Sequence, residues 1–210
     1  MRPLLLGHRG ARSSQHIPEN TLASFELCLE HGCDGFEFDV RRSADGVAVI
    51  CHDPVVGLLE IESTTAAQLD LPTLAEVLTE FSGRAFLDIE LKVAGLEAQV
   101  VAVLRDHPRA KGYVISSFLP EVLRTLQDMD RGVPLGLLWE ERKAAVDLPV
   151  DWLAPRCEFL NRELIEQAHA ARRKVMTWTV NDVRVMRQFA EWGVDAIISD
   201  DTQSLVSTLR

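Results

Sequence analysis

Short apolar runs alternate with amphipathic stretches along the whole chain, the pattern of β/α units that build a parallel sheet or barrel. It predicts strands at 3–8 (PLLLGH), 35–40 (GFEFDV), 47–51 (VAVIC), 85–90 (AFLDIE), 113–117 (YVISS), 134–139 (PLGLLW), near 151–155, at 174–179 (KVMTWT) and at 195–199 (DAIIS). Helices are predicted from an Asn20-Thr21 cap to His31, with Gly32 as the stop, and over 73–81, 95–106, 120–129, 161–172 and 182–192. A variable loop is predicted between the strands at 134–139 and 151–155. Asp45-Gly46 is a turn signal, and the second and third strands are too close for a parallel crossover. They form a hairpin that returns His52 opposite the Glu37/Asp39 end.

Nine strands with one pair in a hairpin leave eight for a closed barrel, and 210 residues fit one such domain at the low end of its size range. No linker, repeat or low-complexity tract divides the chain. A doubly wound open sheet is the alternative, but the first βα turn reads Gly7-His8-Arg9-Gly10 and lacks the glycine pattern that seats a pyrophosphate. The expectation is α/β: a single-domain, TIM-like (β/α)8 barrel over residues 1–210.

Charge narrows the partners. Lys and Arg number 22 against 32 Asp and Glu, a formal net charge of −10, with no local basic stripe. Such a surface repels phosphate backbones and anionic bilayers, so no nucleic-acid partner and no stable membrane insertion are expected. Cys28, Cys33, Cys51 and Cys157 contain no CxxC pair, which favours a reducing compartment. His8 and Arg9 interrupt the apolar start too early for a secretory signal, and no run of about 18 apolar residues occurs. Cytoplasmic residence is the expectation; the sequence carries no signature of oligomeric state.

Polar residues at the ends of apolar strands are the informative feature, because burying charge beside a core is costly unless it binds something. Side chains alternate faces along a strand, so Glu37 and Asp39 share one face opposite Phe36, Phe38 and Val40. Asp88, Glu90 and Lys92 share another, opposite Leu87, Ile89 and Leu91. His8 ends the first strand and His52 the third. In a barrel these ends converge on one mouth. Glu37, Asp39 and Glu90 are an all-oxygen ligand set suited to one hard divalent cation, Mg²⁺ or Ca²⁺. His8 and His52 are candidate general base and acid, and Arg9 and Lys92 candidate anion contacts.

His8-Arg9-Gly10, Pro18-Glu19-Asn20-Thr21, Glu37-x-Asp39, His52-Asp53, Glu90-x-Lys92 and Trp178-Thr179-Val180-Asn181 together resemble the glycerophosphodiester phosphodiesterase family, in order and spacing across nearly the whole chain. The resemblance implies a metal-dependent barrel hydrolase that cuts glycerophosphodiesters, a small-molecule substrate, to sn-glycerol 3-phosphate and an alcohol. It implies that His8 and His52 are the acid/base pair, that Glu37, Asp39 and Glu90 hold the metal, and that Arg9 and Lys92 contact phosphate. Two departures stand out. Only residues 53–71 separate His52 from Pro72-Thr73-Leu74, where the family usually carries a small inserted subdomain. The last strand ends Ser199-Asp200-Asp201 instead of a Thr-Asp soon followed by proline, a change that reads as minor.

Simpler roles compete. A lone strand-end histidine is more often structural, Glu37 and Asp39 could pair with Arg41 and Arg42, and helix capping accounts for Asn20. Asp88 reads as an extra ligand or as a residue that orients Lys92. Trp178 reads as a substrate-contact residue lining the mouth or as core. No GxSxG elbow surrounds any serine, and Cys51 and His52 face opposite sides of their strand, so neither serine nor cysteine nucleophile chemistry is expected. The alternatives are a lysophospholipase D-like phosphodiesterase, which needs an apolar channel, and a catalytically inactive barrel kept as a binding module.

Overall fold

A computed structural model describes residues 2–107, 110–141 and 148–210. Eight parallel strands close into a barrel: β1 (Leu4–Gly7), β2 (Gly35–Arg42), β6 (Phe86–Leu91), β7 (Tyr113–Ser117), β8 (Leu135–Trp139), β9 (Trp152–Pro155), β10 (Lys174–Thr177) and β11 (Ala196–Ser199), with β11 pairing back onto β1. β3 (Ala48–Ile50) lies antiparallel on the extended end of β2, with Val40 opposite Ile50. The (β/α)8 expectation and the hairpin are both realised. Gly35 is required where β2 crosses the start of β6, because a Cβ there would collide with the Phe86 carbonyl.

The helices are α1 (Leu22–Glu30), α2 (Ala66–Leu69), α3 (Leu74–Phe81), α4 (Glu97–Arg105), α5 (Pro120–Met129), α6 (Arg162–Ala170), α7 (Val183–Trp192) and α8 (Thr202–Leu209). Two apolar layers hold the fold. Leu6, Phe86, Val114, Trp152, Met176 and Ile198 pack inside the barrel, while Phe36, Phe38, Leu87 and Ile89 face outward onto the helices. Phe25 of α1 stacks on Phe36 at 4.2 Å between centroids, and Phe81 of α3 meets Phe36 edge-on at 5.2 Å. Strand alternation therefore does what the sequence of β2 requires: Phe36 and Phe38 go outward, and Glu37 and Asp39, which alternate with them, go into the barrel.

Several local readings change. Thr21, not Asn20, caps α1, accepting from the Ser24 amide at 3.2 Å, while Asn20 is left-handed at φ +57°. β10 ends at Thr177, so Trp178 lies just beyond the strand. Residues 53–72 form a short hairpin, β4 (Val55–Val56) with β5 (Leu59–Glu60), then a 3-10 turn and α2, anchored by Ile61 and Leu69 on Val49. The periodicity missed these elements because they are two to four residues long; it also missed α8, whose Asp201 cap follows the last strand directly. Residues 142–147 of the predicted variable loop lie outside the described residues. The four cysteines are free thiols, and among the described residues no helix is long and apolar enough to cross a membrane.

Candidate active site

The predicted site residues meet at the C-terminal mouth of the barrel. A cavity of about 380 Å³ is lined by His8, Arg9, Glu37, His52, Glu90, Lys92 and Trp178, and Asp39 lies directly behind it, 1% exposed. β1 and β11 set His8 at the rim, since its amide donates to the Ser199 carbonyl at 2.9 Å and so extends their ladder. The β2–β3 hairpin brings in His52: the Cys51 amide donates to Asp39 O, and Arg41 Nε donates to His52 O at 2.7 Å. Arg41 is therefore a backbone anchor for His52, not a partner of Glu37 or Asp39.

Register explains the carboxylate cluster. Glu37 stands beside Asp88 and Asp39 beside Glu90 on adjacent strands. Ligand oxygens of Glu37, Asp39 and Glu90 lie within 4.8 Å of one another, a spacing compatible with one ion at about 2.3–2.6 Å from each. Glu37 Oε1, Asp39 Oδ1 and Glu90 Oε1 are buried without a hydrogen bond. Lys92 Nζ approaches two of them, Glu90 Oε1 at 2.7 Å and Asp39 Oδ1 at 3.3 Å, as an ion pair outside hydrogen-bond angles. Buried carboxylate oxygens in this condition are costly unless a cation completes them, so the donor set fits a hard divalent metal.

The electrostatics agree. Burial first, then Asp39, Glu90 and Asp88, push the Glu37 carboxyl well above its ordinary range. Burial and Asp39 push Glu90 up to about 7 against the pull of Lys92. Burial opposes the Asp39 charge too, yet Lys92, Arg9 and the Asn20 amide together hold it below the usual carboxylate value. Lys92 itself is raised, its burial outweighed by Glu90 and Asp39, and stays cationic. Burial lowers His52 against the attraction of Asp53 and Asp39.

Arg9 is held on two sides: Nη1 meets Glu19 Oε1 at 2.7 Å and Nε lies 3.3 Å from Asp39 Oδ2, while its amide donates to Glu37 Oε2 at 3.0 Å. Three further residues join the site. Asn20 Nδ2 donates to Asp39 Oδ2 at 2.8 Å, so its place beyond a cap is explained. Asp200 Oδ1 lies 2.7 Å from His8 Nδ1. Glu19 ties Arg9 to Arg12. Asp88 does not orient Lys92, whose ion-pair partners are Asp39 and Glu90; it accepts from Ser116 Oγ at 2.6 Å deeper in the barrel, where burial raises it to about 7. Trp178 lines the mouth with its ring edge-on to Phe118 at 5.4 Å, its indole nitrogen donating to Ala154 O. A second, larger cavity of about 610 Å³ adjoins this mouth, shares Phe118, Leu138 and Glu140 with it, and is otherwise largely apolar.

The sequence profile of the Glycerophosphoryl diester phosphodiesterase family matches residues 8–83 and 59–204, overlapping segments that together span the whole site. The chain belongs to this family. It is by that membership a phosphoric diester hydrolase. A glycerophosphodiester phosphodiesterase of Caldanaerobacter subterraneus subsp. tengcongensis is 30% identical, the match covering 100% of this chain and 99% of that one. An Oleispira antarctica phosphodiesterase, solved in complex with the product sn-glycerol-3-phosphate, superposes with a TM-score of 0.88 at 29% identity, covering 99% of this chain and 96% of that one. A Thermotoga maritima glycerophosphodiester phosphodiesterase gives 0.84 at 26% identity, covering 99% and 98%.

Proposed function

We propose that this family member hydrolyses glycerophosphodiesters to sn-glycerol 3-phosphate and an alcohol, using one divalent cation, Mg²⁺ or Ca²⁺, held by Glu37, Asp39 and Glu90. The observation that carries the reading is the cluster of three buried carboxylates whose oxygens lie within 4.8 Å of one another with Lys92, among the described residues, as the one cation against Glu90 Oε1 and Asp39 Oδ1, beside a cavity that two imidazoles also line. A cation bound there supplies polarisation of the phosphoryl oxygens and lowers the pKa of the attacking oxygen. His8 and His52 line the same cavity, where one can take a proton from the attacking oxygen while the other gives one to the leaving alcohol. Arg9 and Lys92 offset the developing phosphoryl charge, Arg9 with the part of its guanidinium that Glu19 and Asp39 leave unengaged. Trp178 offers the indole face, its nitrogen being occupied by Ala154, to the apolar carbons of the substrate.

The apolar cavity beside the mouth favours a second reading, lysophospholipase D-like cleavage with an acyl chain seated there. One assay tests both. Purified protein is offered glycerophosphocholine, glycerophosphoethanolamine and lysophosphatidylcholine with Mg²⁺, Ca²⁺ or EDTA, alongside His8→Ala. The expected result is release of glycerol 3-phosphate, or of its acylated form, that requires a cation and falls about 10²–10⁴-fold in the variant. Turnover that is unchanged by EDTA, or a fully active His8→Ala, overturns the proposal.

A further inference from the structure

We infer that Asp200 is a positioning residue that fixes the tautomer and aim of His8, itself locked by Asn181 and Arg12, while His52 has no comparable support. The inference rests on the reading of His8 as a reacting group and adds a member that neither the family match nor the relatives assign.

The geometry leads to it. Asp200 Oδ1 lies 2.7 Å from His8 Nδ1, far closer than Arg12 Nη1 at 3.4 Å or Thr179 Oγ1 at 3.5 Å. An ionised carboxylate only accepts, so the proton of a neutral His8 sits on Nδ1 and the Nε2 lone pair is left for the cavity. Nε2 indeed faces the ligand set, 3.9 Å from Glu37 Oε2. The neighbours of Asp200 keep it ionised: hydrogen bonds from His8 and Asn181, and the charge of Arg12, outweigh its burial and hold the carboxyl well below the ordinary range.

The carboxylate cannot turn away from the ring. Asn181 Nδ2 donates to Asp200 Oδ2 at 2.8 Å, and Asn181 Oδ1 accepts from the Asp200 amide and from Ser199 Oγ, both at 3.0 Å. Arg12 Nη1 adds a contact to Oδ1 at 3.2 Å, and its Nε is held by Glu19 at 2.6 Å. Both oxygens of Asp200 are thus engaged, and its side chain is 24% exposed. His52 differs: its Nδ1 meets Asp53 Oδ1 at the same 2.7 Å, but Asp53 is the next residue in the chain, is 73% exposed, and among the described residues hydrogen-bonds through its carboxylate to His52 alone. A brace with that exposure leaves the His52 ring free to reorient, whereas the His8 ring is fixed between two strand ends. The motif position of Asn181 gains a physical role by the same contacts.

Three variants test this, with Mg²⁺ present and thermal melting as the folding control. Asp200→Asn keeps the side-chain shape but can donate to Nδ1, so His8 takes the opposite tautomer. The expected result is a kcat loss of about 10²–10⁴-fold with KM within threefold of the parent. Asn181→Ala loses about tenfold in the same direction, and Asp53→Asn stays within about fivefold. The decisive readout is the His8 imidazole in ¹H–¹⁵N spectra of ¹⁵N-histidine-labelled protein, assigned against His8→Gln. The parent carries its proton on Nδ1, and Asp200→Asn moves it to Nε2. An unmoved tautomer, or a kcat within threefold of the parent, overturns the inference. If Asp200→Asn does not fold, the parent tautomer and the Asn181→Ala kcat decide: a parent proton on Nε2, or an Asn181→Ala kcat within threefold of the parent, overturns the inference. The tautomer is read without substrate, so a parent that turns over no glycerophosphodiester removes the reaction proposed above and leaves this test standing.

Discussion

Asn20 and Asp39 exchange hydrogen bonds in both directions: Asn20 Nδ2 donates to Asp39 Oδ2 at 2.8 Å, and the Asp39 amide donates to Asn20 Oδ1 at 3.3 Å. The exchange fixes the side chain of a proposed metal ligand and the strand carrying it from a residue 19 positions away. Support of this kind around a ligand is typically worth about 10–100-fold in metal affinity. Asn20 is left-handed, so Asn20→Ala adds backbone strain and Asn20→Gly does not. Both variants are expected to raise the half-saturating Mg²⁺ concentration about 10–100-fold, with Asn20→Gly closer to the parent in melting temperature. A helix-capping role alone would lower stability and leave the Mg²⁺ titration unmoved.

The carboxylate cluster predicts a conflict between stability and metal binding. Glu37 is raised well above its ordinary value, and Asp88 and Glu90 are raised from 3.8 and 4.5 to about 7. A raised carboxyl binds more protons folded than unfolded, so stability falls as pH rises between those limits. Metal-free protein is therefore expected to melt lower at pH 8 than at pH 5, and added Mg²⁺ to recover the loss. Glu37→Gln removes one of the repelling charges. It is expected to raise the metal-free melting temperature at pH 8 by about 3 °C or more, the scale of 1 kcal/mol in a chain of this size, while abolishing the Mg²⁺ response and activity. Calorimetry with EDTA or Mg²⁺ reads both; a destabilised variant contradicts the cluster electrostatics.

The barrel was legible because short apolar runs alternate with amphipathic stretches along the chain, and in β2 and β6 apolar and polar residues alternate within the strand, as in Phe36-Glu37-Phe38-Asp39, which assigns each of them to an inner or outer face. The convergence of His8, Glu37, Asp39, His52, Glu90 and Lys92 follows from the same rule plus the parallel connectivity. What stayed hidden depends on contacts distant in sequence and carries no local period. Asp200 reaches His8 across 192 positions, and Asn20 passes for a cap because its neighbour Thr21 is one. Asp88 shares the face of Glu90 and Lys92, yet its depth in the barrel gives it Ser116 as partner instead. Depth along a strand is a tertiary quantity, and alternation does not encode it.

Asp34 ties the two ends of the chain to the entry of β2. Arg2 meets it with two contacts of 2.7 and 2.8 Å, Arg210 adds one at 3.3 Å, and the Leu5 amide donates to Oδ2 at 2.9 Å. This lies at the N-terminal end of the barrel, where residues serve stability and not the reaction. Asp34→Ala is expected to cost about 2 kcal/mol, or about 4–8 °C in melting temperature, with kcat unchanged. Burial is outweighed by Arg2 and the Leu5 amide, and the carboxyl lies below its ordinary value of 3.8. The lowered value makes the stabilisation complete above that pH and lost as pH falls below it. The gap between parent and variant should accordingly close under acid, which melting curves at pH 7 and pH 3 would show.

The large apolar cavity gives a way to separate the two substrate readings. Leu164 of α6 lines it but does not line the catalytic cavity, so Leu164→Trp fills apolar space without touching the carboxylates or the histidines. A soluble diester such as glycerophosphocholine needs only the mouth, and its kcat/KM is expected to stay within about twofold of the parent. A lysophospholipid whose chain lies in the cavity loses that volume, and burial of even two methylenes is worth about 1.6 kcal/mol, or more than tenfold in kcat/KM. A selective loss on lysophosphatidylcholine assigns the chain to this cavity. Kinetics unchanged by the substitution on both substrates would mean that the cavity takes no part in turnover, and a parent that leaves lysophosphatidylcholine uncleaved would restrict the protein to the short diester.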